Sequence, residues 1–249
     1  MLRDDQIRSD LAKLKEIVAA HKAPQADLAT HREIIGGIEY DVFTKAPPNL
    51  YELYRKGLQS ADETFLVYQE DRYTFAETLD RAARMGRILI NNYRIVSGDR
   101  IAICARNSPE WCIAYMAITI VGAIVVPMNS WWKGSEINYG LSDSGSKMAI
   151  VDQARFNEIE PFINSLQLDI IIIKPEKSVP FPEFNTVIEN VPPLTNEEVS
   201  ELNVKPEDHS TIMYTSGSTG HPKGVLSTHR NIINALYTWR FVKELNEIR

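Results

Sequence analysis

Short apolar runs alternate with amphipathic stretches along most of the chain. Runs rich in β-branched and aromatic residues predict strands, which are residues 65–68, 101–105, 123–126, 148–151, 170–173 and 211–214. Between these runs the apolar positions recur at helical spacing, as Leu79, Ala83 and Ile90 do. Strands that alternate with helices in this way predict an α/β fold with a largely parallel sheet and flanking helices.

Polar residues mark where several of these helices begin. Thr74 followed by Glu77 forms a capping box, in which each side chain satisfies a backbone N–H of the other residue. Residues 108–110, Ser-Pro-Glu, supply a cap, a proline at the first helical position and an acid in the first turn. Further helices are predicted over residues 135–141 and 154–166, the second limited by Pro161.

The N-terminal segment has a pattern of its own. Its apolar positions at helical spacing are Ile7, Leu11, Leu14 and Val18. They predict an amphipathic helix docked on the body of the protein. The segment has no apolar signal-peptide core. We therefore divide the chain into an N-terminal helix and lead-in, residues 1–45, and a main domain, residues 46–249.

One stretch is long and apolar enough to need a test as a membrane span. No residue between Glu110 and Lys133 is charged. Gly122 interrupts the run after about four helical turns, and the strand predicted at 123–126 ends at Pro127. The pattern therefore favours a helix, a turn and a strand in the core of a soluble protein over an integral membrane span.

Composition and charge narrow the classes of function. The 249 residues are 44% hydrophobic and 24% charged, which is typical of a soluble globular protein. A net charge of −6 argues against a nucleic-acid partner. Cys104 and Cys112 form no zinc-ligand cluster with histidines, so we expect two buried thiols in a reducing, cytoplasmic environment.

Residues 175–208 differ from the rest in composition. They hold eight acids against two lysines, and six of the 13 prolines. An acidic interaction tail is one interpretation. Because the strand predicted at 211–214 follows directly, we expect instead a solvated surface connection between two layers of one protein.

The segment 213–225, "MYTSGSTGHPKGV", combines glycines, hydroxyl residues and a lysine. Glycines at 217, 220 and 224 allow positive φ and leave backbone N–H groups open to form an anion-binding nest. The predicted phosphate-binding residues are Thr215, Ser216, Gly217, Ser218, Thr219, Gly220, Lys223 and Gly224. The segment lacks the Gly-Lys-Ser/Thr of a Walker A loop, and β-prone residues 225–228 predict a strand after it.

This segment resembles the phosphate-loop signature of the adenylate-forming superfamily, which includes acyl-CoA synthetases, peptide-synthetase adenylation domains and luciferases. The stretches "RYTFAETLDRAARMGRIL", "GDRIAICARNSPEWCIAYMAITIVGAIVVPMN" and "GLSDSGSKMAIVD" resemble upstream blocks of that family in the same order. The resemblance extends from about Leu50 to the end of the sequence. It implies the incomplete N-terminal large domain of an adenylate-forming enzyme, similar to bacterial acyl-CoA synthetases.

The resemblance implies a two-step reaction. A carboxylic acid, in this group a fatty or related acid, reacts with ATP and Mg²⁺ to form an acyl-adenylate, and coenzyme A then displaces AMP. Ser216 to Gly220 and Lys223 would hold the β- and γ-phosphates. The family's adenine, ribose and magnesium sites and its catalytic lysine are not found in this portion. The residues of this portion therefore include no assigned catalytic residue or metal ligand, and the chain by itself is expected to be inactive.

Two other functions stay open at this point. The chain could be part of an adenylation domain that loads a carrier protein, or a short non-catalytic protein that binds nucleotide or a partner. Among single residues, His221 is interpreted as solvated and His229 as packing at a helix terminus. Trp131, Trp132 and Trp239 are interpreted as packing residues in preference to an acyl pocket.

Overall fold

The computed structural model describes residues 4–21, 23, 26–215 and 221–246. The described residues form two compact units, one within 1–48 and 230–249 and the other within 49–229. The division at residue 45 made from the sequence stays a prediction.

Helices and strands follow one another along the whole described chain. The first half contains α1 (Asp4–His21), β1 (Thr30–Ile35), β2 (Ile38–Phe43), α2 (Leu50–Lys56), β3 (Thr64–Tyr68), β4 (Asp71–Thr74), α3 (Phe75–Asn91), β5 (Arg100–Cys104), α4 (Pro109–Ile120) and β6 (Ile124–Pro127). The second half contains α5 (Gly134–Ser144), β7 (Met148–Asp152), α6 (Gln153–Ile159), α7 (Ile163–Leu166), β8 (Asp169–Ile173), α8 (Phe184–Ile188), α9 (Asn196–Glu201), β9 (His209–Thr215), β10 (Lys223–Thr228) and α10 (His229–Asn246).

The smaller unit contains an antiparallel hairpin of β1 and β2. Gly36 and Gly37 join the strands at φ +58° and +84°, a left-handed conformation that glycine adopts without a steric penalty. Helix α10 packs beside it, where the Tyr237 hydroxyl donates to the Lys45 carbonyl at 3.2 Å. This hairpin was not predicted, although a Gly-Gly pair between two β-prone runs is a recognisable hairpin signal.

Helix α1 forms as its apolar spacing predicted, and its docking on the body of the protein stays a prediction. Leu11 and Leu14 are 51% and 40% exposed. Helical spacing specifies which side chains share a face of the helix, and it carries no information about what that face meets.

The larger unit is built on a six-stranded sheet with the order β10-β9-β6-β5-β7-β8. Strands β9, β6, β5, β7 and β8 are parallel, and β10 pairs antiparallel with β9. Helix α4 provides the crossover from β5 to its parallel neighbour β6, and α5 lies in the connection from β6 to β7, on the other side of β5. The predicted α/β fold with a largely parallel sheet is confirmed.

Both faces of the sheet are covered by helices. On one face Ile101, Ile103 and Ile171 pack in a cluster with residues of α3 and α4. On the other face Ala102 and Cys104 pack with residues of α5 and α6. Successive residues of each strand therefore enter opposite layers, which explains why these strands are continuously apolar.

The uncharged stretch between Glu110 and Lys133 folds as predicted into α4, a turn and β6. Gly122, at φ +73°, forms the turn. In the part of the chain that the structure describes, no helix has both the length and the hydropathy of a membrane span. Helix α4 begins at the predicted cap, where the Ser108 hydroxyl accepts a hydrogen bond from the Trp111 amide at 3.4 Å.

Replacing this cap is expected to destabilise the fold. Ser108→Ala removes the acceptor for one amide of the first turn, which costs about 1 kcal/mol of the free energy of unfolding. Urea denaturation of the wild type and the variant measures the difference. Ser142→Ala, at an exposed position of α5, is the control and should change stability by less than about 0.5 kcal/mol. Equal midpoints for Ser108→Ala and wild type would show that the cap contributes nothing.

Residues 175–208 lie mostly at the surface between β8 and β9, as their composition suggested, but they are helical in part and also pack on the core. They contain α8 and α9, and Phe184, Ile188 and Val199 are buried against the α3–α4 layer. The Arg87 guanidinium also binds the Glu198 carboxylate at 2.6 Å. The acidic composition gave no indication of these few buried apolar residues. The capping box of Thr195 and Glu198 was the local signal for α9.

Candidate functional site

The predicted phosphate-binding segment joins β9 to β10. The strands predicted on either side of the segment are confirmed, with Lys223 opposite Thr215 at the first register position of the antiparallel pair. Ser216, Gly217, Ser218, Thr219 and Gly220 lie outside the described residues. Because β9 runs parallel to β6, Thr215 lies at the carboxyl edge of the sheet, where open α/β sheets bind their ligands.

The structure places Thr215, with its hydroxyl, and Lys223, with its ammonium, side by side. The Thr215 hydroxyl donates to the Lys223 carbonyl at 3.4 Å, and both residues are exposed. No carboxylate of the described residues forms an ion pair with the Lys223 ammonium. The cation is therefore available at the mouth of the hairpin, as a site for an anionic ligand requires.

Gly224 was predicted to bind phosphate, and that role stays a prediction. It lies within β10 opposite Tyr214, and its φ is not positive. A Cβ at this position would lie 2.9 Å from the Ile212 Cγ2 atom and 3.5 Å from the Tyr214 ring. The glycine is thus explained by the cross-strand packing of Ile212 and Tyr214, and an anion nest at this position is not needed to account for it.

Helix α5 contacts the strand that leads into the segment. The Tyr214 hydroxyl donates to the Asp143 carboxylate at 2.6 Å and lies 3.3 Å from the Gly140 carbonyl oxygen. Burial of the phenol and the neighbouring Asp143 carboxylate raise the pKa of Tyr214, so this hydroxyl stays protonated and donates at neutral pH. The Trp132 ring meets the Tyr214 ring edge-on, with centroids 5.7 Å apart.

The same helix contacts residues 221 and 222, just before the strand that leads out. The Tyr139 hydroxyl donates to the Pro222 carbonyl at 3.2 Å. The Tyr139 ring stacks on the exposed His221 ring, with centroids 4.7 Å apart and planes 21° from parallel. His221, interpreted from the sequence as solvated, is thus exposed, and one face of its ring stacks on Tyr139. Sequence reasoning did not find Tyr139, Asp143 or Tyr214 as parts of the site.

His229 is fully buried at the start of α10. Its Nδ1 atom accepts a hydrogen bond from the Leu50 amide at 3.2 Å, and its backbone N–H donates to the Asp208 carbonyl at 3.0 Å. Burial lowers the pKa of its imidazole from 6.5 to about 4, against a smaller opposing effect of the Asp208 carboxylate. The neutral ring fits the packing role predicted for this residue.

The tryptophans and cysteines also have structural explanations. Trp132 packs in the α5–α6 layer, whereas Trp131 is 78% exposed with the Arg106 guanidinium 5.8 Å from its ring centroid. Trp239 is 71% exposed. Cys104 is buried, which raises its pKa to about 12, and Cys112 is only half-buried, a correction to the expectation of two buried thiols.

Among the described residues, no group of three or more His, Cys, Asp or Glu side chains is arranged to hold a metal ion. At the end of the hairpin Thr215 contributes a hydroxyl and Lys223 an ammonium, and the His221 imidazole and the Asp143 carboxylate lie beside the two strands. This donor set suits phosphate oxygens, which accept hydrogen bonds from hydroxyls and a lysine.

The fold is that of the N-terminal part of adenylate-forming enzymes. Anthranilate CoA ligase AuaEII, solved in complex with anthranoyl-AMP, superposes with a TM-score of 0.67 at 27% sequence identity, covering 73% of this chain and 35% of that one. The family profile described as AMP-binding enzyme matches residues 53–248, which is most of the chain. The chain belongs to the AMP-binding enzyme family.

Two curated relatives indicate the range of this family. Long-chain-fatty-acid–CoA ligase FadD13 of Mycobacterium tuberculosis is 31% identical over 168 residues, covering 68% of this chain and 32% of that enzyme. 4-Hydroxybutyrate–CoA ligase 2 of Metallosphaera sedula is 29% identical over 209 residues, covering 80% of this chain and 37% of that enzyme. The chain thus spans about a third of the length of the curated relatives it matches.

Proposed function

We propose that this chain carries the phosphate-binding part of an enzyme that activates a carboxylic acid with ATP. A carboxylate oxygen attacks the α-phosphorus of ATP, the bond between the α-phosphorus and the bridging oxygen breaks, and pyrophosphate leaves with its electron pair. The products are acyl-AMP and pyrophosphate. In the second step a thiol adds to the acyl carbon and AMP departs.

The observation that carries this proposal is the position of the hairpin. Thr215 and Lys223 stand opposite each other at the carboxyl edge of the sheet, on either side of seven residues rich in glycine and hydroxyl groups. Negative charge accumulates on the departing pyrophosphate. Donors that are already in place, the Lys223 ammonium first among them, stabilise that charge in the transition state. We propose Ser216 to Gly220 as the remaining donors.

Magnesium and coenzyme A enter the proposal as substrates. We propose that Mg²⁺ arrives with ATP and is coordinated by the phosphate oxygens, where it offsets their charge. Coenzyme A is favoured as the thiol because the relatives described above bear the names of CoA ligases. Their acids differ, since one name specifies a long-chain fatty acid and the other 4-hydroxybutyrate. A fatty or related acid is proposed on the same basis, and a cytoplasmic location is proposed because Cys104 and Cys112 are free thiols.

Binding of MgATP and of tripolyphosphate tests the phosphate site directly. Isothermal titration calorimetry should detect both ligands with dissociation constants in the millimolar range, because each hydrogen bond in open water contributes only about 0.5–1.5 kcal/mol. Tripolyphosphate lacks adenosine, so its binding isolates the phosphate contacts. Lys223→Ala should weaken both by about tenfold, the effect of one charge-assisted contact. Lys177→Ala, in an exposed loop, is the matched control. Equal affinity of wild type and Lys223→Ala would overturn the proposed site.

A further inference from the structure

A single helix contacts both arms of the hairpin that carries the proposed phosphate site. Tyr139 and Asp143 are four residues apart on α5 and therefore lie on one face of the helix. Asp143 binds the Tyr214 hydroxyl on the incoming strand. Tyr139 binds the Pro222 carbonyl and stacks on His221, the two residues just before the outgoing strand. We call Tyr139, Asp143, Tyr214 and His221 the hairpin-base cluster.

The helix itself is well fixed. Its opposite face carries Ile137 and Leu141, which are fully or almost fully buried in the layer beneath the sheet. Gly140 brings the helix close to its neighbours, since a Cβ there would lie 2.9 Å from the Trp132 ring. The hairpin-base cluster therefore connects the loop arms to the packed core.

The hairpin has little other support near its tip. Strand β10 is the edge of the sheet and pairs with β9 along one side. Met213 and Val225, which face each other across the two strands, are 55% and 50% exposed. In the described part of the chain, the side-chain contacts from outside the hairpin that restrain its end next to residues 216–220 come from α5 and from the Trp132 ring, which meets Tyr214.

We propose that Tyr139, Asp143 and Tyr214 are positioning residues for Thr215 and Lys223 of the proposed phosphate site. They hold Thr215 and Pro222 at one separation, so that the Thr215 hydroxyl and the Lys223 ammonium are already in place to meet the phosphates. They touch neither substrate nor reacting atoms. This inference rests on the function proposed above and assigns a second role to a helix that is otherwise part of the core.

The rate of trypsin cleavage after Lys223 measures how firmly the end of the hairpin is restrained. Lys223 is exposed and followed by glycine, so trypsin cleaves after it when β10 opens locally. Lys177, in the exposed segment after β8, serves as an internal reference in the same molecule. The measurement is the ratio of the two cleavage rates in the full chain by mass spectrometry, first without ligand and then with tripolyphosphate.

Four variants separate positioning from general stability. Tyr139→Phe and Tyr214→Phe each remove one hydrogen bond and should raise the Lys223 to Lys177 ratio by about three- to tenfold. Tyr139→Ala also removes the stack on His221 and should raise it further. Tyr115→Phe is the matched control, because its hydroxyl bonds Thr211 of the same strand at 2.8 Å, away from the hairpin end. It should leave the ratio unchanged.

The two ligand conditions distinguish this inference from the function on which it rests. In the wild type, tripolyphosphate should slow cleavage at Lys223, and the positioning variants should need about three- to tenfold more of it for the same protection. An unchanged ratio in Tyr139→Phe and Tyr214→Phe, or an equal rise in Tyr115→Phe, overturns the positioning role. Faster cleavage in the variants without any protection of the wild type by tripolyphosphate overturns the phosphate site instead.

Discussion

Alanine at position 223 is expected to slow acyl-adenylate formation by about tenfold to a thousandfold, the usual effect of losing one preorganised donor to a transition state. The test needs an adenylating enzyme of the relatives' full length that contains this segment. Lys223 is the cation beside the proposed leaving group, and the described residues supply no carboxylate partner for it. ATP–pyrophosphate exchange, measured at saturating acid, reports the adenylation step without the thiol.

Two further variants make this result specific. Gly217→Val should reduce exchange over a similar range, because a branched side chain blocks close approach of the backbone to phosphate. Lys177→Ala removes a lysine of equal charge from an exposed loop and should leave exchange unchanged. Wild-type exchange in both Lys223→Ala and Gly217→Val would show that the segment does not hold the phosphates.

The free energy of unfolding is expected to fall below neutral pH because of His229. The folded-state pKa of about 4 lies below the ordinary value of 6.5, so the unfolded chain binds the proton more tightly. The contribution of His229 is therefore complete above pH 6.5 and is lost as the pH falls toward 4. The loss amounts to about 2 kcal/mol at pH 5 and about 3 kcal/mol at pH 4.

A variant that cannot titrate isolates this effect. In His229→Asn the amide oxygen can accept the Leu50 amide proton in place of Nδ1, and no group at this position is protonated near neutral pH. Urea denaturation of both proteins at pH 7.5 and pH 5 should show a drop in the wild type that is about 2 kcal/mol larger than in the variant. Parallel losses in the two proteins would assign the pH dependence to other groups.

Many features of the fold were predictable because their causes are local. The Thr74–Glu77 capping box is present with both of its hydrogen bonds, and α4 begins at the Ser108 cap. Pro161 ends α6 in a short 3-10 turn, as its missing amide requires. The four isoleucines of β8 are buried from both sides. Each of these results depends on residues within a few positions of one another, so the sequence pattern contains the information.

The amino-acid sequence by itself determined the α/β class, the family and the position of the glycine–hydroxyl segment between two strands. Only the tertiary structure revealed that α5 contacts both arms of this segment. Tyr139 and Pro222 are 83 residues apart in the chain, and Asp143 and Tyr214 are 71 residues apart. The same holds for His229 and the Leu50 amide, which are 179 residues apart. Such pairs follow from the strand order, which is set by the packing of the whole sheet. Periodicity and capping signals extend over only one or two turns of chain and cannot specify it.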